Sequence, residues 1–276
     1  MAGSSQRRRG PRPPVFRFAE SYELKVKEPS GLAYIAELDR FVAIDDSSRT
    51  LVMFELTKHK LKAKRLDSRP HKKDKISDFE GVTYDPERRR LITVSERSRR
   101  LRVFRFPGGR PTRKSSRLEQ VGEARLPKVG KQPRKKGIEG LAFLPGKFAP
   151  DARSHLVAVN EAKPKMVLLI DPEALEIEHQ LALPKKWNKA IGDLSDVAVD
   201  PLTGHLFLLS DESRQVLELE LRMKRDKLKL GKVQRFDVEE KDTGTIAKPE
   251  GIVFDSDGDL YLTSEGSCLV YRYKRR

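Results

Sequence analysis

The chain has 276 residues, 57 of them Lys or Arg against 41 Asp or Glu, for a formal charge of +16, and 37% of it is hydrophobic. A hydrophobic share of that size excludes a globally disordered chain, and apolar runs of about five residues exclude a membrane-spanning helix, which needs roughly 20. The single cysteine, Cys268, excludes an internal disulfide framework and a cysteine-cluster metal site, so any metal must take oxygen ligands.

Residues 1–14 (MAGSSQRRRGPRPP) are rich in Arg and Pro with no apolar stretch behind them. They predict a disordered basic arm ahead of one domain over residues 15–276, and, lacking the pattern of an export signal, a cytoplasmic protein; a monomer is expected. Next comes a strand-like segment, FRFAESYELKV (16–26), that belongs to no repeat.

Five related segments follow: PSGLAY (29–34), FEGVTY (79–84), IEGLAF (138–143), LSDVAV (194–199) and PEGIVF (249–254). Their second residues stand at 30, 80, 139, 195 and 250, a spacing of 50–59 residues that suits one four-stranded blade of a propeller. Each is followed by a second apolar run ending in an acid, such as RLITVSE (90–96) or DLYLTSE (259–265), and then by a third, such as MVLLID (166–171). More polar fourth strands, for example Leu118 to Leu126 and Leu175 to Leu183, close the first four units. Turns such as Asp200-Pro201-Leu202-Thr203-Gly204 connect these runs into antiparallel meanders. The fifth unit lacks a fourth strand, so the segment at 16–26 is expected to complete it. The predicted fold is all-β: a five-bladed propeller whose ring is closed by the N-terminal strand, with no open sheet edge between its ends. Small residues in the first strands (Gly31, Ala33, Gly140, Ala142) suit wedges crowded about an axis.

In such a propeller the entry to each first strand and the turn after each second strand lie at one end of the central channel. The entry positions are Ser30, Glu80, Glu139, Ser195 and Glu250, with Asp196 directly after the fourth; the turns supply Asp46, Glu96, Glu161, Asp211 and Glu265. Converging carboxylates repel, and burial raises the cost. Either a cation sits among them or they cap backbone amides and pair with Arg across blades. A ring of oxygen donors with room for six to eight ligands suits Ca²⁺ better than the smaller, strictly octahedral Mg²⁺, so Ser30, Glu80, Glu139, Ser195 and Glu250 are the candidate Ca²⁺ ligands.

Around this acidic centre the entry loops and turns are basic. Arg49, Lys73, Arg97, Lys135, Lys136, Lys163, Lys186 and Arg214 are the candidate anion contacts, and Lys165 belongs to the same rim. A basic rim around a cation concentrates anions, which points to an anionic small molecule or phosphorylated ligand. Such rims also serve solubility alone. Only Trp187 stands among the basic loops, so sequence-specific nucleic-acid recognition is not expected. His155 and His205 begin second strands at the opposite end, where a surface role is expected.

The Glu-Gly first strands with acid-bearing turns resemble the SdiA-regulated type of bacterial propeller, from about residue 16 onward. The order Ser30, Glu80, Glu139, Ser195, Glu250 and the Asp45-Asp46 pair also resemble the Ca²⁺ ring of five-bladed calcium-activated apyrases. That resemblance implies a central Ca²⁺ and a working face at its end of the channel. Two functions are compatible with these residues. One is a metal-dependent phosphoesterase or related hydrolase, with Asp46 or Asp211 as base. The other is a non-catalytic binding propeller with a structural ion and a basic docking face.

Overall fold

The computed structural model describes residues 15–47, 50–58, 60–67, 79–130, 137–161, 163–225, 227–240 and 244–276. The basic arm expected at 1–14 lies outside them. The first strand, β1 (Phe16–Glu23), is followed by four blades in chain order, each a four-stranded meander. Blade one is β2 (Pro29–Ile35), β3 (Arg40–Asp45), β4 (Thr50–Thr57) and β5 (Lys60–Leu66); blade two is β6 (Phe79–Asp85), β7 (Arg90–Ser95), β8 (Arg100–Arg105) and β9 (Glu119–Arg125). Blade three is β10 (Ile138–Leu144), β11 (His155–Asn160), β12 (Met166–Ile170) and β13 (Ile177–Ala182). After a short helix, α1 (Lys185–Ala190), blade four is β14 (Asp196–Val199), β15 (Leu206–Ser210), β16 (Gln215–Lys224) and β17 (Lys227–Asp237). A two-stranded ribbon, β18 (Glu239–Glu240) with β19 (Gly244–Thr245), leads to β20 (Pro249–Phe254), β21 (Leu260–Ser264) and β22 (Leu269–Arg275).

The last sheet has the order β1-β22-β21-β20, so the N-terminal strand supplies the outermost strand of blade five, as the unmatched segment at 16–26 predicts. Its register runs antiparallel from Phe16 opposite Arg275 to Glu23 opposite Leu269. Arg272 reinforces the closure by donating to Glu20 Oε1 at 3.2 Å on β1 and to Asp259 Oδ2 at 2.9 Å at the head of β21.

The strands form where the sequence alternates β-branched, aliphatic and aromatic residues. The second and third strands, covered on both faces by neighbouring blades, are buried almost end to end, as along β7 and β15, whereas the outer strands β5, β9 and β13 expose alternate or nearly all residues. The core accordingly lies between blades: one cluster joins Val167, Leu169 and Leu183 to Leu206, Leu208 and Leu217, and another joins Val94 and Leu101 to Leu141 and Leu156.

Near the axis the innermost strands approach so closely that side chains cannot pass. A Cβ on Gly81 would sit 2.6 Å from the Glu139 carbonyl oxygen, and one on Gly140 would sit 2.5 Å from the Asp196 Cα. Four blades carry glycine at this register position, and blade four carries Asp196. Its fully buried carboxylate occupies the axial space the glycines leave open. It accepts the backbone N–H groups of Val197 at 2.8 Å and Ile252 at 2.9 Å, and is also hydrogen-bonded by those of Leu32 and Leu141. Burial pushes this carboxyl up, and the N–H groups oppose that.

Asp196 separates the two mouths of the channel. One is a pit of about 210 Å³ with an apolar lining that includes Leu32, Tyr84, Phe143, Val197 and Phe254. The other is acidic. His155 begins β11 away from the acidic mouth, but it is fully buried rather than a surface residue, because Asp151 (3.0 Å) and Glu178 (3.2 Å) sandwich its ring. His205 is partly exposed and its Nδ1 lies 2.6 Å from Glu218.

Candidate functional site

Two backbone devices build the acidic mouth. In blades one, two, three and five, the pairing of first and second strands shifts register between Pro29 and Leu32, Phe79 and Gly81, Ile138 and Leu141, and Pro249 and Gly251. These irregularities fall at Ser30, Glu80, Glu139 and Glu250, where a bulge re-aims a side chain out of the pleat. The second device ties the turn acid to the entry. Asp46, Glu161 and Glu265 donate their backbone N–H groups to the carbonyls of Glu28 (3.1 Å), Gly137 (3.0 Å) and Lys248 (3.0 Å), in each case two residues ahead of the entry position. The same local geometry thus sets an inner and an outer group side by side in three blades.

The result is one cavity of about 360 Å³ that gathers all ten sequence-predicted positions: Ser30, Glu80, Glu139, Ser195 and Glu250, with Asp46, Glu96, Glu161, Asp211 and Glu265. Glu28, Asp193, Leu194 and Glu212 complete the lining. Among the described residues, no Lys or Arg lines it.

Within the cavity the carboxylates are not evenly spread. Oxygens of Glu96, Glu139 and Glu161 lie within 4.8 Å of one another, as do those of Glu161, Asp193 and Glu212. The tightest groupings therefore join inner to outer acids, and blade three to blades two and four, rather than the five entry positions to each other. The two entry serines hydrogen-bond to backbone: Ser30 Oγ donates to the Glu80 carbonyl at 2.9 Å and accepts from Gly31 N–H at 2.7 Å, and Ser195 Oγ donates to the Pro249 carbonyl at 3.2 Å. Each spends its proton clasping the next blade.

Burial, then the charges of Glu80, Glu96 and Glu161, raise the Glu139 carboxyl well above the usual range, and the adjacent Glu96 side chain adds to the rise. Burial, with Asp211 and Glu265, pushes Glu250 up to about 8, and burial with Asp193 raises Asp211. Asp193 accepts from Ser210 Oγ and from the Glu212 N–H at 3.2 Å, which pins it to the blade-four turn.

The expected anion contacts stand outside this cavity. Arg97 is exposed, with Nε 3.7 Å from Glu96; Arg214 donates to Thr245 Oγ1 at 2.9 Å; Lys186 lies over the Trp187 ring at 5.1 Å; Lys163 is exposed. Arg49, Lys73, Lys135 and Lys136 lie outside the described residues. Lys165 is not a rim group: it is buried and donates to the Asn188 carbonyl at 3.2 Å. Lys248, which the repeat pattern does not single out, pairs with Glu265 at 2.6 Å beside the mouth.

The family model for SdiA-regulated proteins matches residues 20–274, and the chain belongs to that family. No curated protein matches the sequence. Among solved structures it is similar to the glutaminyl cyclase of Myxococcus xanthus, at 14% identity over 95% of this chain and 97% of that one, with a TM-score of 0.62. It is also similar to a chain of a nidogen/laminin complex, at 11% identity over 86% and 73%, with a TM-score of 0.51. At these identities the likeness is one of fold.

Proposed function

We propose that this protein is a cation-binding propeller that holds Ca²⁺ in its acidic mouth and presents it to an anionic ligand, a phosphorylated molecule being the best chemical match. The observation that carries the reading is the lining: eleven carboxylates, from Glu28 to Glu265, two serine hydroxyls and no described basic side chain around one 360 Å³ space. Carboxylates gathered this closely must bind protons or a cation, and the donor set is oxygen throughout, which fits a hard divalent ion. Glu139 with Glu96 and Glu161 would form the core of the ligand set, with Glu80, Glu250, Ser30 and Ser195 around it. A bound Ca²⁺ would supply positive charge able to polarise a phosphoryl or carboxyl oxygen.

One observation favours a catalytic form of this reading over a purely structural ion. Asp211, outside that ligand set, lies at the same mouth, where burial and Asp193 raise its carboxyl, as suits an acid or base. Asp46 and Asp211 remain the candidate bases for hydrolysis of a phosphoric ester or anhydride.

Calorimetric titration with Ca²⁺, beside thermal unfolding in EDTA and in millimolar Ca²⁺, tests the ion, because a ligand of the native state must raise its melting temperature. An unchanged melting temperature refutes the reading. Turnover of a phosphate-ester panel, lost on Asp211→Asn with the Ca²⁺-induced shift retained, is the result expected of the hydrolase. Absence of turnover alongside an intact shift assigns the protein to the binding module.

A further inference from the structure

Blade four carries a feature that its place in the ring does not require. Strand β16 pairs with β15 only from Gln215 to Leu219, yet it continues to Lys224 with β17 as its only partner among the described strands. The register slips between Leu219 and Leu221, a bulge where the two-stranded ribbon leaves the sheet. At about 3.3 Å per residue the extension adds roughly 15 Å. Because β16 starts from the Asp211 turn at the acidic mouth, the ribbon projects at the opposite end of the molecule.

One face of the ribbon is anchored: Leu221 and Leu228 are buried in the cluster that also holds Leu217 and Leu219, with Leu181 of blade three packed against it. The other face places like charges directly opposite one another, Arg222 across from Lys229 and Lys224 across from Lys227. Cross-strand pairs of one sign destabilise a sheet. Arg222 has an acid, Glu220, at 2.6 Å, whereas Lys224, Arg225, Lys227 and Lys229 are exposed and pair with no described acid. Edge protection does not account for this, since one charged strand suffices for that. The outer strand of blade one shows the ordinary solution, with Lys62 opposite Glu55 at 3.6 Å.

We infer that this ribbon is a docking element for duplex DNA, bound through its phosphates without regard to sequence. The argument is charge complementarity at matched spacing: a square of cations about 5 Å across and about 7 Å along the strands, on a two-stranded ribbon of the kind a B-form major groove admits. Lys224, Arg225 and Lys227 flank a single acid in the sequence, Asp226; the exposed apolar residue beside them, Met223, lies on the other face of the ribbon, and the basic face has no aromatic on which a single strand would stack.

Binding of a short labelled duplex to the full chain, followed by fluorescence anisotropy between about 50 and 200 mM salt, tests the inference. Each phosphate contact contributes roughly −0.9 to the slope of log K against log salt. Replacing Lys224, Lys227 and Lys229 by Ala should therefore flatten the slope by about 3 and weaken binding at least tenfold, with no fall in melting temperature. A control replacing Lys60, Lys62 and Lys64 on β5 by Ala should change the slope by less than one such step. Lys224→Glu should raise the melting temperature, by making an attractive pair with Lys227, while weakening binding further. Equal effects of the two triple variants, an unchanged slope, a lowered melting temperature in the ribbon variant, or preference of the wild type for phosphatidylserine vesicles over duplex would each overturn the inference.

Discussion

The carboxylate of Asp196 in blade four accepts the backbone N–H of Ile252 in blade five at 2.9 Å, across the axis on which all five innermost strands converge. With the N–H groups of Val197, Leu32 and Leu141 it joins four of the five blades at one buried point. Replacing Asp196 by Ala leaves those donors buried without acceptors, at about 1–3 kcal/mol for each group not otherwise satisfied. A loss of about 3 kcal/mol or more is expected, which lowers the melting temperature by roughly 6–12 °C in a chain of this size. Calorimetry checks it, and a shift under 2 °C would deny Asp196 the role of axial pin.

The raised carboxyls of the acidic mouth set the sign of the pH dependence. Glu250 titrates near 8 in the folded chain and at about 4.3 when unfolded. Between those values the native state holds a proton that the unfolded chain has released, so stability falls as pH rises through that window. Melting temperature of the EDTA-treated protein should climb as pH drops from 8 toward 5, and the slope should shrink in Glu250→Gln. Calcium competes for the same sites, so its affinity should fall over the same descent.

Glu139→Gln separates repulsion from ligation. Glutamine removes a carboxyl that must either hold a proton or repel Glu80, Glu96 and Glu161, so the metal-free variant should melt above the wild type. Its response to millimolar Ca²⁺ should shrink by most of the wild-type shift. A variant that melts lower in EDTA and keeps its full Ca²⁺ response contradicts both halves of this expectation.

Arg272 is the polar clasp of the ring, reaching Glu20 on β1 and Asp259 beside β21. Arg272→Ala leaves Asp259, only 8% exposed, without that partner, and a loss of about 2 kcal/mol is expected. Hydrogen exchange along β1 should accelerate more than along β11, which lies in the intact blade three.

How much of this was readable beforehand follows from what repeats and what does not. Ser30, Glu80, Glu139, Ser195 and Glu250 recur at blade-sized intervals, so both the ring and the convergence of ten positions on one cavity were legible from spacing. The finer grouping was not. Glu161 meets Glu96 from blade two and Asp193 with Glu212 from blade four, and those approaches depend on loop paths between blades, where no periodicity speaks. Glu28 and Glu212 sit one or two residues off the repeated positions and carry no signal of their own. Asp196 did carry one: it stands where the other four copies have glycine, and a charged residue on the innermost strand must find donors in the axis. His155 is buried rather than exposed because Glu178 reaches it from β13, an approach that Asp151, four residues before it, does not signal alone.

The pairing of β1 with β22 has a consequence for synthesis. The two strands are separated by nearly the entire chain, so the fifth blade cannot assemble on the ribosome until its last strand has emerged. At roughly 5–20 residues per second, β1 waits on the order of ten to fifty seconds after its own emergence. Throughout that interval its partner edge does not yet exist, and the nascent chain carries a strand containing Phe16, Phe18 and Tyr22 that stays without its hydrogen-bonding partner until β22 emerges.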